Sequence, residues 1–171
     1  MKTALIPLLC LALISSAGAA PGTTSKSTKP PLVLDIAQTV VKLPLAKNVS
    51  MNDAVEAMKI RANTLNIKLV AELPLSKQIE AMGEKSRRIE IYQFCDALTA
   101  KKMVDNDINF AAYLPCRIAL VEDAKGQGWL VMMNLDMFIQ NPKLDPSLKA
   151  DAIAVRNTLN EIMQAGAAGA W

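Results

Sequence analysis

Ile89-Glu-Ile-Tyr-Gln-Phe-Cys95-Asp96, then a helical run, then Leu114-Pro-Cys-Arg-Ile-Ala-Leu-Val121: this is the stretch whose reading decides the fold. Ile89, Ile91 and Phe94 mark a strand, by their β-branched and aromatic character. Asp96 stands where a helix N-cap belongs, because a short carboxylate accepts from the free N–H groups of a first turn. Leu98, Met103 and Val104 make a short apolar stripe behind it. Residues 105–114 read as a long loop, and Pro115 opens the next strand. Ile118 to Val121 is a continuous apolar run, the pattern of a strand covered on both faces. The unit is strand–helix–strand, with Cys95 and Cys116 at the two strand ends.

Working outward, residues 33–45 are rich in β-branched side chains and read as a first strand ending near Pro44. Ser50 and Asp53 form a capping pair for a helix with Met51, Val55 and Met58 on one face. Residues 67–73 read as a strand stopped by Pro74, and residues 75–82 as a short helix stopped by Gly83. Downstream, Lys125-Gly126-Gln127-Gly128 is a hairpin turn into a strand over residues 129–135. Asp145-Pro146 starts a long helix, with Leu148, Ala152, Val155, Leu159 and Ile162 on one face. The order is β-α-β-α-β-α-β-β-α. That predicts a single α+β domain over residues 32–165, a mostly antiparallel sheet of about five strands with helices packed on one face. Residues 166–171 are expected to fray.

Composition narrows the chemistry. The chain has 171 residues, 51% of them hydrophobic and only 4% aromatic, so aliphatic side chains and Met must fill the core. A formal charge of +3 from 19 basic and 16 acidic residues is too mild to argue for nucleic acid. The chain has no histidine, which excludes Ser–His–Asp and Cys–His catalysis within one chain and any His-ligated metal. Lys2, the apolar run from Ala4 to Ile14 and Ala17-Gly18-Ala19 form the three parts of a secretory signal over residues 1–19. The apolar run is too short for a membrane span, and the mature chain is expected to lack one. Residues 20–31 are a polar, Pro-flanked linker. Cys95 and Cys116 are then the cysteines kept in a periplasmic or secreted protein, an oxidising setting.

Asn66–Pro74, Ile89–Asp96 and above all Leu114–Asp123, continued by Gly126–Gly128, Trp129 and the next strand, resemble the family named domain of unknown function 302. The resemblance spans roughly residues 35–163. It implies a small α+β domain that works as a homodimer, and it implies no catalytic residues.

Cys95 and Cys116 are the first candidates for chemistry. Cys95 sits between a strand end and a helix N-terminus, and Cys116 directly precedes Arg117. Both settings favour thiolate. The pair admits a disulfide, a redox couple or soft metal ligation, against two buried free thiols. They lie too far apart in sequence for a Cys-x-x-Cys motif. Strand direction decides: parallel neighbours separate them by ~20 Å, whereas antiparallel neighbours bring them to one sheet edge. Met132, Met133 and Met137 offer soft donors for Cu(I), although Met132 and Met133 alternate across a strand. Lys85, Arg87, Arg88, Lys101, Lys102 and Arg117 are either an anion-binding patch or a solvated face. Glu90 faces away from Ile89 and Ile91, either into solvent or into a cleft. Asp105 and Asp107 are the closest approach to paired carboxylates, in a loop where turn roles are common. No Ser-x-x-Lys motif occurs, and Gly126-Gln127-Gly128 is a hairpin, not a dinucleotide loop.

These observations lead to an exported, non-enzymatic module that binds a small ligand or a partner protein, with no cofactor. The alternative is a periplasmic thiol-redox or soft-metal protein, with Cu(I) on Cys95 and Cys116. Candidate binding residues are Cys95, Cys116, Arg117 and Glu90.

Overall fold

A computed structural model describes residues 36–140 and 144–170. The expected signal, linker and first residues of the domain lie outside them. The elements are β1 (Val40–Pro44), α1 (Met51–Thr64), β2 (Lys68–Leu73), α2 (Leu75–Ala81), β3 (Ile89–Cys95), α3 (Ala97–Asn106), β4 (Cys116–Glu122), β5 (Gly128–Met133), α4 (Asp136–Ile139) and α5 (Pro146–Ala168). The five strands form one sheet in the order β1-β5-β4-β3-β2, antiparallel at every pairing. The α+β class and the element order are as the sequence predicts.

Local chemistry starts the helices where expected. Ser50 Oγ accepts from the Asp53 N–H at 3.1 Å, and the Asp53 carboxylate accepts from the Ser50 N–H, a capping box at α1. Asp96 Oδ1 accepts from the N–H groups of Leu98 and Thr99, opening α3. Asp145 caps α5, with Pro146 in its first turn. In the β4–β5 hairpin Asp123 Oδ1 accepts from Lys125 and Gln127, and its Oδ2 accepts from Trp129 Nε1. Gly126 there adopts φ +78, a conformation that suits glycine.

The core lies between one sheet face and helices α1 and α5. Phe94, Ile118, Leu120 and Leu130 point from the sheet into Met58, Ile162 and Met163, all almost fully buried. Each such side chain contributes ~1.5–3 kcal/mol through burial. Register places Tyr92 opposite Ile118 and Ile118 opposite Met132, so these residues share the covered face.

Four expectations change. The first strand is shorter, because Ile36–Thr39 form a 3-10 turn. Residues 108–113 also wind into a 3-10 helix, capped by Asp107 accepting from the Asn109 N–H, so the expected loop is partly regular. Strand β4 is not covered on both faces: Ile118 and Leu120 are buried while Ala119 and Val121 are half-exposed, because helices α1 and α5 cover only one side. Nor does the chain fray at residue 166. α5 continues to Ala168, and a Cβ on Gly166 would lie 2.6 Å from Met58 Cγ and 2.9 Å from Leu130 Cδ1. This close packing holds the last turn, and Gly169 ends it in the left-handed conformation.

Candidate functional site

Antiparallel pairing settles the question of the cysteines. Phe94 lies opposite Cys116, and Lys68 opposite Cys95. Cys95 and Cys116 therefore reach one edge of the sheet, where both line a small cavity of about 20 Å³ closed by Val155, Thr158 and Leu159 of α5. Both are free thiols. Their surroundings act against thiolate. Burial pushes Cys116 up to about 11, the neighbouring Cys95 adds to this, and Arg117 only partly offsets it. Burial also raises Cys95, helped by the Asp96 carboxylate. Burial is thus the first reason the helix terminus fails to activate Cys95, and the Asp96 carboxylate that caps α3 adds to it from the neighbouring position.

The uncovered sheet face carries a second hollow. Ile91, Ala119 and Val131 are cross-strand neighbours on this face, and Met133 continues the row toward Val40. With Tyr113 and Phe138, whose ring centroids lie 4.4 Å apart at a tilt of 53°, they line a groove of about 500 Å³. Arg117 lines it too and has no ion-pair partner among the described residues. Cys116, Met132, Met133 and Met137 all border the same space. Strand alternation separates Met132 from Met133, yet the groove sits near the end of β5, where both sides of the strand bound it.

Glu90 is not a solvent group. It points into the covered side, 8% exposed, toward a cavity of about 330 Å³ among α1, α2 and the β2–β3 pair. Glu90 Oε2 accepts from Tyr92 Oη at 2.5 Å and from Arg88 Nη2 at 2.8 Å. Arg88 Nη1 donates to Asn52 Oδ1 at 2.6 Å, while its Nε is buried with no acceptor among the described residues. Burial pushes the Glu90 carboxyl up, but the hydrogen bonds from Arg88 and Tyr92 outweigh it and hold the group below its ordinary value. Tyr92 is pushed well above its ordinary value, first by burial and then by Glu90. Reading Glu90 singly missed this cluster. The signal was the spacing Arg88-x-Glu90-x-Tyr92: Glu90 and Tyr92 share one face of β3, and Arg88, just before the strand, bonds to Glu90.

Other candidates stay apart. Lys101 pairs with Asp105 on α3 and Lys102 with Asp151 of α5, whereas Arg88 pairs with Glu90 at the polar cavity and Arg117 lines the groove. Asp107 serves as a cap. Among the described residues no group of three or more His, Cys, Asp or Glu is placed to hold a metal ion. No helix among them is long and apolar enough to cross a membrane.

Fold and cavities together define a small α+β domain with one helix-covered and one open sheet face. The profile of the family described as "Domain of unknown function DUF302" matches residues 41–166, and the chain belongs to that family. It is similar in fold to the crystal structure of an uncharacterized conserved DUF302 protein from Bacillus stearothermophilus. That likeness has a TM-score of 0.63 at 16% identity, over 74% of this chain and 97% of the other. No curated protein matches the sequence.

Proposed function

We propose that this chain is an exported, non-enzymatic binding module, periplasmic or secreted, whose ligand occupies the groove on the open sheet face. One observation carries the reading: a concave, mostly apolar space of about 500 Å³ bordered by Arg117, a cation with no ion-pair partner among the described residues. Few polar groups among many apolar ones is the usual make-up of a small-molecule site. The lining suits a ligand with an apolar body against Ile91, Ala119 and Val131 and one anionic group at Arg117. Anilinonaphthalene sulfonate has this chemistry and serves as the probe. Saturable fluorescence enhancement is expected, with Arg117→Gln weakening binding about fivefold and Ala119→Phe abolishing it by filling the floor. Unchanged binding in both variants would falsify the assignment.

Export rests on the three-part pattern of residues 1–19. Homodimerisation rests on the half-exposed apolar remainder of the same face, Ile89, Val121 and Trp129. Sedimentation of the mature chain over a wide concentration range tests it, and a monomer throughout counts against it.

A second reading has its own support. Cys116, Met132, Met133 and Met137 border one space, and thiol and thioether donors favour Cu(I). Competitive titration with a Cu(I) chelator is expected to give one bound ion, lost in Met133→Leu. The thiol-redox form has less support, because buried, raised thiols attack slowly.

A further inference from the structure

We infer that the polar cavity among α1, α2 and the β2–β3 pair is a second binding site, and that it takes a small carboxylate with a short aliphatic tail. The charges lining it argue for an anion. Lys59, Lys77 and Arg88 face two carboxylates, Glu72 and Glu90. Both carboxylates are already paired, Glu72 with Lys59 at 2.9 Å and Glu90 with Arg88 at 2.8 Å. Lys77 has no ion-pair partner among the described residues, although its charge helps hold Glu90 down. One positive charge is left over, so a singly charged anion balances the site.

Unfilled hydrogen-bonding capacity argues the same way. Arg88 lines the cavity, and its Nη1 and Nη2 each carry two N–H groups, of which one on Nη1 goes to Asn52 and one on Nη2 to Glu90. A carboxylate held by Lys77 and the Arg88 Nη groups supplies acceptors for the N–H groups that remain. Arg88 cannot turn to find another acceptor, because Asn52 and Glu90 hold both ends of its guanidinium. Glu90, fixed by Tyr92, thus positions Arg88 and does not compete for the ligand. The remaining walls, Val55, Leu73 and Pro74, are apolar and accept a short hydrocarbon chain. A volume of about 330 Å³ limits that chain to a few carbons.

Amide chemical-shift titration of the mature chain with butyrate tests the site. Saturable shifts are expected around residues 75–77 and 88–92, weakening with added salt. Butylammonium is expected to produce none. Lys77 lies on the exposed side of α2, so its replacement leaves the fold intact. Lys77→Gln is expected to weaken butyrate binding about tenfold, and Lys77→Glu to abolish it. Ala119→Phe, which fills the groove on the other sheet face, is expected to leave these shifts unchanged. Butyrate binding that ignores Lys77→Glu overturns the assignment. So does inorganic phosphate binding as tightly as butyrate, because the apolar walls would then have no part.

Discussion

Two donors meet one oxygen at Glu90, and that arrangement makes the residue sensitive to acid. Its folded pKa lies below the ordinary value of 4.5, so its contribution to stability is present above that value. The contribution is lost as pH falls through the lower, folded value. Asp96, held down first by the Thr99 hydroxyl, acts in the same direction. Glu90→Gln is expected to destabilise the protein at pH 7 by ~1–3 kcal/mol and to flatten the acid limb of stability measured by urea unfolding. An unchanged acid limb in Glu90→Gln counts against the network. Cys116 titrates the other way. With its thiol pushed up to about 11, it stays protonated at pH 8, and native protein is expected to alkylate there far more slowly than urea-unfolded protein. Equal rates would contradict the burial. The sequence made both cysteines and Glu90 visible as candidates. It did not reveal their ionisation, because that depends on which neighbours the fold supplies: Asp96 beside Cys95, Arg88 and Tyr92 beside Glu90.

Element boundaries follow side-chain chemistry most closely where a cap fixes them. Ser50, Asp96 and Asp145 each accept from their own first turn, so the starts of α1, α3 and α5 were legible. The end of α5 was not. Two glycines close to the chain end read as fraying, yet Gly166 is there because Met58, Leu130 and the Ala54 carbonyl leave no room for a side chain. Gly166→Val is expected to destabilise by about 1–3 kcal/mol through overpacking, despite a better intrinsic propensity than glycine. A gain in thermal midpoint would show that the two helices separate easily. Ser50→Ala, in contrast, is expected to cost only ~1 kcal/mol, since water replaces the cap. Residues 108–113 and α4 escaped prediction because short turns of helix leave little periodicity to read.

At the scale of the molecule, the two cavities lie apart: the groove runs over the open face and round the end of β5, and the polar cavity lies among α1, α2 and the β2–β3 pair. Ile91, Ala119 and Val131 face the open side, whereas Glu90 and Tyr92 face the helices. The sites share no lining residue, so their occupancy is expected to be independent. Saturating butyrate should leave the affinity for anilinonaphthalene sulfonate unchanged, and competition between them would place both probes in one space. The α+β class, the element order and a mostly antiparallel sheet were legible, but the direction of β4 against β3 was left open, because a strand–helix–strand unit allows either. The uncovered face was hidden, because a continuous apolar run reads alike whether a helix or a ligand lies over it.

The sheet also ends twice, at β1 and β2, and each border carries its own deterrent. In β1, Pro44 has no N–H to donate, and the exposed Lys42 lies over the Trp129 ring. In β2 the pairing shifts between Leu69 and Ala71, and Val70 turns outward, 52% exposed. A strand from another chain finds no flat, continuous ladder to extend at either border. The fold therefore resists runaway edge-to-edge fibril growth. Deleting Val70 to straighten the border is expected to raise the aggregation rate in a thioflavin assay.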